Sequence, residues 1–326
     1  MQLVATPDVQ ASTPTVRISL SRVGVTGVEK VIRVQQQLFF ARLECFVDLG
    51  PAQKGAHMSR FEETVNDVIG EVVLGEEAFR AERLAVRIAE LVRERQGARR
   101  AEVTIAARYP EHKPAPVSGI QTQEIYTLFG SAAASEHGTR RLVGVAAQGM
   151  TACPCAQQLV AGAARERLAA HGFSDEQIEQ ILEDVPVATH NQRGLGTLHI
   201  GCPEGCDIEL DAARLLAIVE DAMSSEIYEL MKRTDEGSVV EKAHRRPRFV
   251  EDCVREMVRG VVEDLPELSD EHFVSARQEN LETIHQHNVV AERYGLLGEL
   301  RRELRDGEHR FEHLTMREWL SGSPRG

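Results

Sequence analysis

The sequence lacks any long apolar run: nothing approaches the ~20 consecutive apolar residues needed to span a bilayer, so no membrane partner is expected. It also lacks any excess of positive charge. A formal net charge of -13 leaves no basic surface able to displace counterions from nucleic acid, so non-specific nucleic-acid binding is excluded. Lysine is scarce: Lys30, Lys54, Lys113, Lys232 and Lys242 are the whole complement among 38 basic residues, the rest being Arg. The first seven residues, Met1 to Pro7, combine no basic and apolar regions of the signal-peptide kind, so a cytoplasmic location is expected. In that reducing setting the six Cys are expected as thiols or ligands rather than disulfides.

What is present is a globular chain. With 326 residues and 42% hydrophobic content it can bury a large core. Residues 1–14 are expected to be disordered. Alternation predicts a strand over 15–20 and a β-rich run over 37–49. A helix is expected from about Ser59, with Ser59 and Glu62 as a capping box and Phe61, Val65, Val68, Ile69 and Val72 on its apolar face. A second helix carries Leu84, Ile88, Leu91 and Val92; Val103 and Ile105 mark a strand, and 110–116 a loop. The order then repeats, with β-rich 124–129 and 140–147, a helical region over 156–182 holding a Ser174/Gln177 capping box, and a strand around 197–200. Asp211 is expected to cap a helix burying Leu215, Ile218, Val219 and Ala222, and Pro247 to precede one burying Phe249, Val250, Cys253, Val254 and Met257. Strand pairs followed by long helices, twice over, predict an α+β fold with an antiparallel sheet covered by helices on one face. Its approximate halves are 15–116 and 117–297, followed by a charged, peripheral tail over 298–326.

Three short segments concentrate soft or borderline metal ligands: Met150-Thr151-Ala152-Cys153-Pro154-Cys155, Ala188-Thr189-His190-Asn191-Gln192-Arg193-Gly194 and Ile284-His285-Gln286-His287-Asn288. In extended chain, residues two apart point to the same side, so Cys153 and Cys155 can face one cavity and His285 and His287 can share one face of a strand. A closed structural zinc site usually takes Cys-x2-4-Cys pairs and four protein ligands. Cys-x-Cys, a lone His and His-x-His, far apart in sequence, suit an open catalytic site better. Taken singly, each Cys reads as a small buried hydrophobe and each His as a hydrogen-bonded structural residue; only the set points to a metal. Cys202 and Cys206, in Cys-Pro-Glu-Gly-Cys, suggest a turn after a strand and read as structural, while Cys45 and Cys253 read as core. An anionic substrate would need a local basic pocket, for which 53–60, Asn191-Gln192-Arg193 and Lys232-Arg233 are the candidates; Lys242 reads as a surface ion pair.

The motifs at 53–60, 150–155, 188–194, Lys232-Arg233-Thr234-Asp235-Glu236, Phe249-Val250-Glu251-Asp252 and 284–288, in this order, resemble the type IB GTP cyclohydrolases, including the archaeal enzymes of methanopterin synthesis. The resemblance covers about residues 15 to 295. It implies the tunnelling fold, with two tandem antiparallel sheet-plus-helix units per subunit and homotetramers whose active sites lie at subunit interfaces. It implies hydrolysis of GTP at C8 with release of formate, giving 7,8-dihydroneopterin triphosphate for folate synthesis, or a 2',3'-cyclic phosphate as in the archaeal branch. The 161–186 segment is closer to that branch. The implied cofactor is a divalent metal, iron (Fe2+) first, manganese or zinc otherwise. By the same resemblance Cys153, His190, Glu236 and one of His285 and His287, with His285 the first choice, hold the metal. The other histidine shuttles protons. Glu251 anchors guanine, and Lys54, His57, Arg60 and Arg193 take the triphosphate. Two other readings stand beside this one: a nitrile reductase of the same fold with Cys153 as nucleophile, and a non-catalytic purine-binding protein.

Overall fold

The computed structural model describes residues 8–34, 37–73, 79–307 and 313–322, and of 71–73 only the backbone. The chain runs β1 (Leu20–Val34), β2 (Gln37–Leu49), α1 (Met58–Val73), α2 (Ala81–Gln96), β3 (Ala101–Pro114), β4 (Gln121–Ser135), β5 (Gly138–Ala152), α3 (Pro154–Ala170), α4 (Asp175–Asp184), β6 (Asn191–Cys202), α5 (Ala212–Ala222), β7 (Ser225–Glu226), α6 (Arg233–Arg245), α7 (Val250–Asp264), β8 (Phe273–Leu281), β9 (Val289–Leu296), α8 (Leu297–Asp306) and α9 (Met316–Ser321). The strands form one antiparallel sheet in the order β1-β2-β3-β4-β5-β6-β8-β9, with the short β7 paired to β5. Among the described residues no helix is long and apolar enough to cross a membrane.

Alternation in β2 decides the layering. Phe39, Ala41, Leu43, Cys45, Val47 and Leu49 are buried and their neighbours are not, so one sheet face takes the helices. Over the first half α1 and α2 bring Phe61, Val65, Val68, Leu84, Ile88 and Val92 onto that face. Over the second, α5 and α7 bring Leu215, Val219, Cys253, Met257 and Val261. Each such side chain stabilises the fold by about 1.5–3 kcal/mol through burial. Burial also pushes the Cys45 and Cys253 thiols up to about 12, so both are inert core groups. Gly24 is required where β1 shifts register on β2: a Cβ there would sit 1.8 Å from the Cys45 carbonyl oxygen.

Register fixes two edges of this sheet. Leu49, Ala101, Ala134, Cys202 and Phe273 lie along one. Ala152, Asn191 and Leu281 lie along the other, together with the 115–120 turn between β3 and β4.

Several expectations change. The strand predicted over 15–20 begins only at Leu20, because β2 ends at Leu49 and offers nothing earlier to pair with. Pro110 and Pro114 lie in β3 rather than a loop; beyond Arg108 that strand has only β4 beside it, which tolerates missing N–H donors. Ser59 sits inside α1, which starts at Met58, and so is not its cap. The 156–182 region divides at Gly172 (φ 87) into α3 and α4, with the Ser174/Gln177 capping box formed. Phe249 caps α7 and is exposed instead of packing in the core. The segment from 298 is not peripheral: Leu300 is buried, and Trp319 of α9 stacks on Phe273 at 5.6 Å. Val72 lies where only backbone is described.

Candidate active site

Strands β5 and β6 end side by side, Ala152 opposite Asn191, so the next residue of one and the preceding residue of the other are neighbours: Cys153 and His190. Two hydrogen bonds fasten them, Cys153 N–H to the His190 carbonyl at 3.1 Å and the Thr189 hydroxyl to the Cys153 carbonyl at 2.7 Å. Pro154 then starts α3, since its fixed φ suits the first helical position. Cys153 becomes the N-cap, its Sγ accepting the Ala156 N–H at 3.5 Å at the positive end of the helix dipole. The same turn corrects the expectation for Cys155. In a helix, residues two apart no longer share a side, and Cys155 is exposed on α3.

His190 is held from behind. The buried Gln192 donates its amide to the Thr151 hydroxyl at 3.0 Å, which turns its Oε1 to His190 Nδ1, also at 3.0 Å. Nδ1 therefore carries the proton and Nε2 keeps its lone pair for a ligand. Glu282, just past the end of β8, lies by the same nitrogen, with Oε2 3.9 Å from His190 Nδ1 and its side chain only 7% exposed. That oxygen is buried without a hydrogen-bond partner. A buried carboxylate oxygen with no hydrogen bond is costly, and such an atom marks a place where something binds. Sequence reasoning missed Glu282, because its burial follows from β8 lying beside β6 and not from local pattern.

The remaining candidates are spread along the same edge. His285 and His287 stack at 5.2 Å in an exposed loop between β8 and β9, not on a strand face, because pairing stops at Asn280 with Val289. Thr283 ties this loop to the Asn191 carbonyl at 3.0 Å. Arg193 is exposed on the sheet face away from the helices. Glu236 is exposed in the first turn of α6. Its neighbour Asp235 is the buried acid there, accepting from Val117 N–H, Ser118 N–H and hydroxyl, and Lys232 N–H at 2.7–2.8 Å. Burial alone would raise the Asp235 pKa, but these donors hold its carboxyl well below the usual range and lock α6 to the 115–120 turn. Glu251 is exposed at the start of α7, beside a cavity of about 380 Å³ lined also by Val254, Arg255, Val258 and Arg293. The Arg248 N–H to Ala152 carbonyl bond, 3.0 Å, anchors that helix start at the same edge. Lys242 pairs with Glu226 at 2.6 Å.

Lys54, His57 and Arg60 are elsewhere. They follow β2 at the opposite edge, where His57 pairs with Asp8 at 3.3 Å and Arg60 donates to the Arg95 carbonyl at 3.1 Å. The length of β5, 15 residues or roughly 46 Å at the usual rise of a strand, separates them from Cys153. Within one chain, among the described residues, no three of the expected metal ligands converge on a single point. A larger cavity, about 470 Å³, lies between the two halves against Phe39, Phe79 and Tyr109 and contains none of these residues.

A solved structure resembles the whole: the uricase of Arthrobacter globiformis, at a TM-score of 0.51 and 10% identity, over 92% of this chain and 98% of that one. The shared architecture is the tunnelling fold, α+β, with an antiparallel sheet and its helices. The GTP cyclohydrolase MptA of Methanococcus aeolicus is 42% identical over 309 residues, 91% of this chain and 99% of that protein. The GTP cyclohydrolase MptA of Methanosarcina mazei is 41% identical, over 91% and 97%. The family model described as type I GTP cyclohydrolase folE2 matches residues 6–291. With a match of that extent, and relatives this similar along nearly their full length, the chain belongs to the type I GTP cyclohydrolase folE2 family.

Proposed function

We propose that this chain is a metal-dependent GTP cyclohydrolase of the type IB form, which hydrolyses GTP at C8, releases formate and recloses the product to 7,8-dihydroneopterin triphosphate for tetrahydrofolate synthesis. The observation that carries this reading is the meeting at one sheet edge of Cys153, His190 and the Glu282 carboxylate, whose buried Oε2 has no hydrogen bond. A thiol, an imidazole with a free Nε2 and nearby carboxylates suit a borderline divalent ion: iron, manganese or zinc. Cys153, His190, Glu236 and His285 or His287 would hold it. Bound there, such an ion supplies hydroxide at neutral pH for attack at C8.

The chain's own residues do the rest. Gln192 fixes the His190 tautomer. Glu282, beside His190 and shielded from water, accepts a proton during ring opening, and the histidine of the 285/287 pair that is not a ligand delivers a proton to the ring nitrogen that leaves when the C8–N bond breaks and formate is released. Glu251 accepts hydrogen bonds from guanine N1 and N2, a donor pair adenine lacks. Arg193 meets the phosphates from the same chain, while Lys54, His57 and Arg60, at the far edge, meet them from a second copy. The site is thus completed between subunits of a homo-oligomer, a tetramer in this reading.

One observation favours a second product. The relatives from Methanococcus and Methanosarcina match over 97–99% of their length, and the α3–α4 hairpin spans the 161–186 segment that resembles the archaeal branch, whose product is a 2',3'-cyclic phosphate. Anaerobic incubation with GTP, with and without ferrous or manganous ion, followed by formate assay and mass of the pterin, tests both. Metal-dependent formate with an intact triphosphate supports the first product, and a cyclic phosphate the second. Folded protein that yields no formate with any metal overturns the cyclohydrolase reading.

A further inference from the structure

On the edge opposite Cys153, β6 ends at Cys202 and β8 begins at Phe273. The pairing of Gly201 with Phe273 makes Cys202 and His272 neighbours across the two strands. The chain leaves β6 through Pro203-Glu204-Gly205-Cys206, where the Cys206 N–H returns to the Pro203 carbonyl at 3.3 Å. Gly205 takes φ 71, a left-handed conformation suited to glycine that folds the turn back. Cys206 Sγ then lies 3.5 Å from His272 Nε2. The donor atoms of Cys202, Cys206 and His272 all lie within 4.8 Å of one another, the one such trio among the described residues.

The separations match a coordination sphere. With Zn–S and Zn–N bonds of about 2.3 and 2.0 Å, a sulfur and a nitrogen on one tetrahedral ion stand roughly 3.5 Å apart. Cys-x3-Cys is also a ligand-pair spacing for such sites. The His272 ring is oriented as a ligand would be. Its Nδ1 lies 3.0 Å from both the backbone N–H and the hydroxyl of Ser269 and 3.2 Å from the Ser269 carbonyl, contacts that fix the ring with Nε2 facing Cys206. Cys202 and His272 are each 2% exposed. Cys206 lines a cavity of about 310 Å³ with Glu82, Arg141 and Asp207, which gives the fourth position access to water.

We propose that Cys202, Cys206 and His272 form a structural site for a thiophilic divalent cation, zinc in character, that clamps the turn after β6 to the start of β8. It is independent of the candidate active site.

The test uses the full chain carrying Cys153→Ala and Cys155→Ala, which removes both thiols at the other edge, and titrates it with cobalt(II) and then zinc. One equivalent of cobalt with intense thiolate-to-metal charge-transfer absorption is expected, displaced by one equivalent of zinc and lost on adding Cys206→Ser or His272→Ala. Zinc should also shield the accessible Cys206 from alkylation in the parent chain, read by peptide mass, a result that does not depend on any cluster variant folding. An absent charge-transfer band, a band that survives both substitutions, or equal alkylation of Cys206 with and without zinc overturns the proposal. So does a Cys202–Cys206 disulfide that persists in freshly purified protein and leaves no zinc-binding capacity after reduction.

Discussion

The two edges of the sheet present the same residue types to different ends. At the Cys202 edge, a turn and one strand register bring three donors together, two of them fully covered. At the Cys153 edge two donors are fastened together and well supported, the other candidates hang from α6, α7 and the β8–β9 loop, and a buried carboxylate oxygen is left with no hydrogen bond. A cluster that closes on itself serves the fold. One left open, with a polar oxygen awaiting company, is built for something that comes and goes, and the fold tolerates the cost.

The sharpest way to break this contrast is to remove a donor from each edge. Cys153→Ala and His190→Ala should each lower kcat/KM for formate release by about 1,000-fold, in the range lost when a group acting directly on the chemistry is removed. Thermal stability should fall by no more than about 1 kcal/mol, the cost of losing the Cys153 cap of α3, because neither side chain belongs to a hydrophobic core cluster. Equal activity of variant and parent would end the assignment of this edge.

Glu282→Gln separates function from fold more finely. The carboxylate has no partner for its buried Oε2, so the neutral amide should hold or raise stability by about 1 kcal/mol while lowering kcat roughly 10- to 100-fold. Calorimetry and steady-state assay on the same sample check this. A variant that loses stability along with activity would make Glu282 a structural group.

Most of the fold was legible where local pattern suffices. β2 runs over the expected 37–49, and the Asp211 cap and the buried face of α5 follow from a short polar residue before an amphipathic run. The errors arose where a distant neighbour decides: the start of β1, the prolines carried in β3, and α9 docked through Trp319. The site divides the same way. Cys153 and His190 stood out by residue type and motif. Gln192 carried a signal too, two residues from His190 on an extended segment, whereas Glu282 became buried only when β8 paired with β6. Asp235 and Glu236 are adjacent acids that sequence cannot rank; four hydrogen-bond donors from or beside a remote turn make Asp235 the structural one.

Asp235 gives a prediction in pH. Its folded pKa is depressed, so its stabilising contribution is present above the unfolded value of about 3.9 and is lost as pH falls from there toward the folded value. Asp235→Asn should therefore lower the melting temperature at pH 7, and the gap from the parent should narrow below about pH 4. Melting curves across that window check it, and a gap that does not vary with pH would mean that the charge is not what locks α6 to the 115–120 turn.

The last prediction joins the edges through a second chain. Lys54 lies at one edge and Cys153 at the other, separated along β5 by more than a nucleoside triphosphate can span. If one GTP touches both, they come from different subunits. Lys54→Ala and Cys153→Ala chains, each nearly inactive, should then complement when dissociated together and reassembled, since a site pairing the intact Lys54 of one chain with the intact Cys153 of another arises in about one quarter of random interfaces. Recovery approaching a quarter of parental kcat, with no recovery on mixing intact oligomers, is the expected outcome. Failure to recover after exchange is verified by mass would place Lys54 outside the site and leave Arg193 as the phosphate contact, confining the chemistry to the Cys153 edge of a single chain.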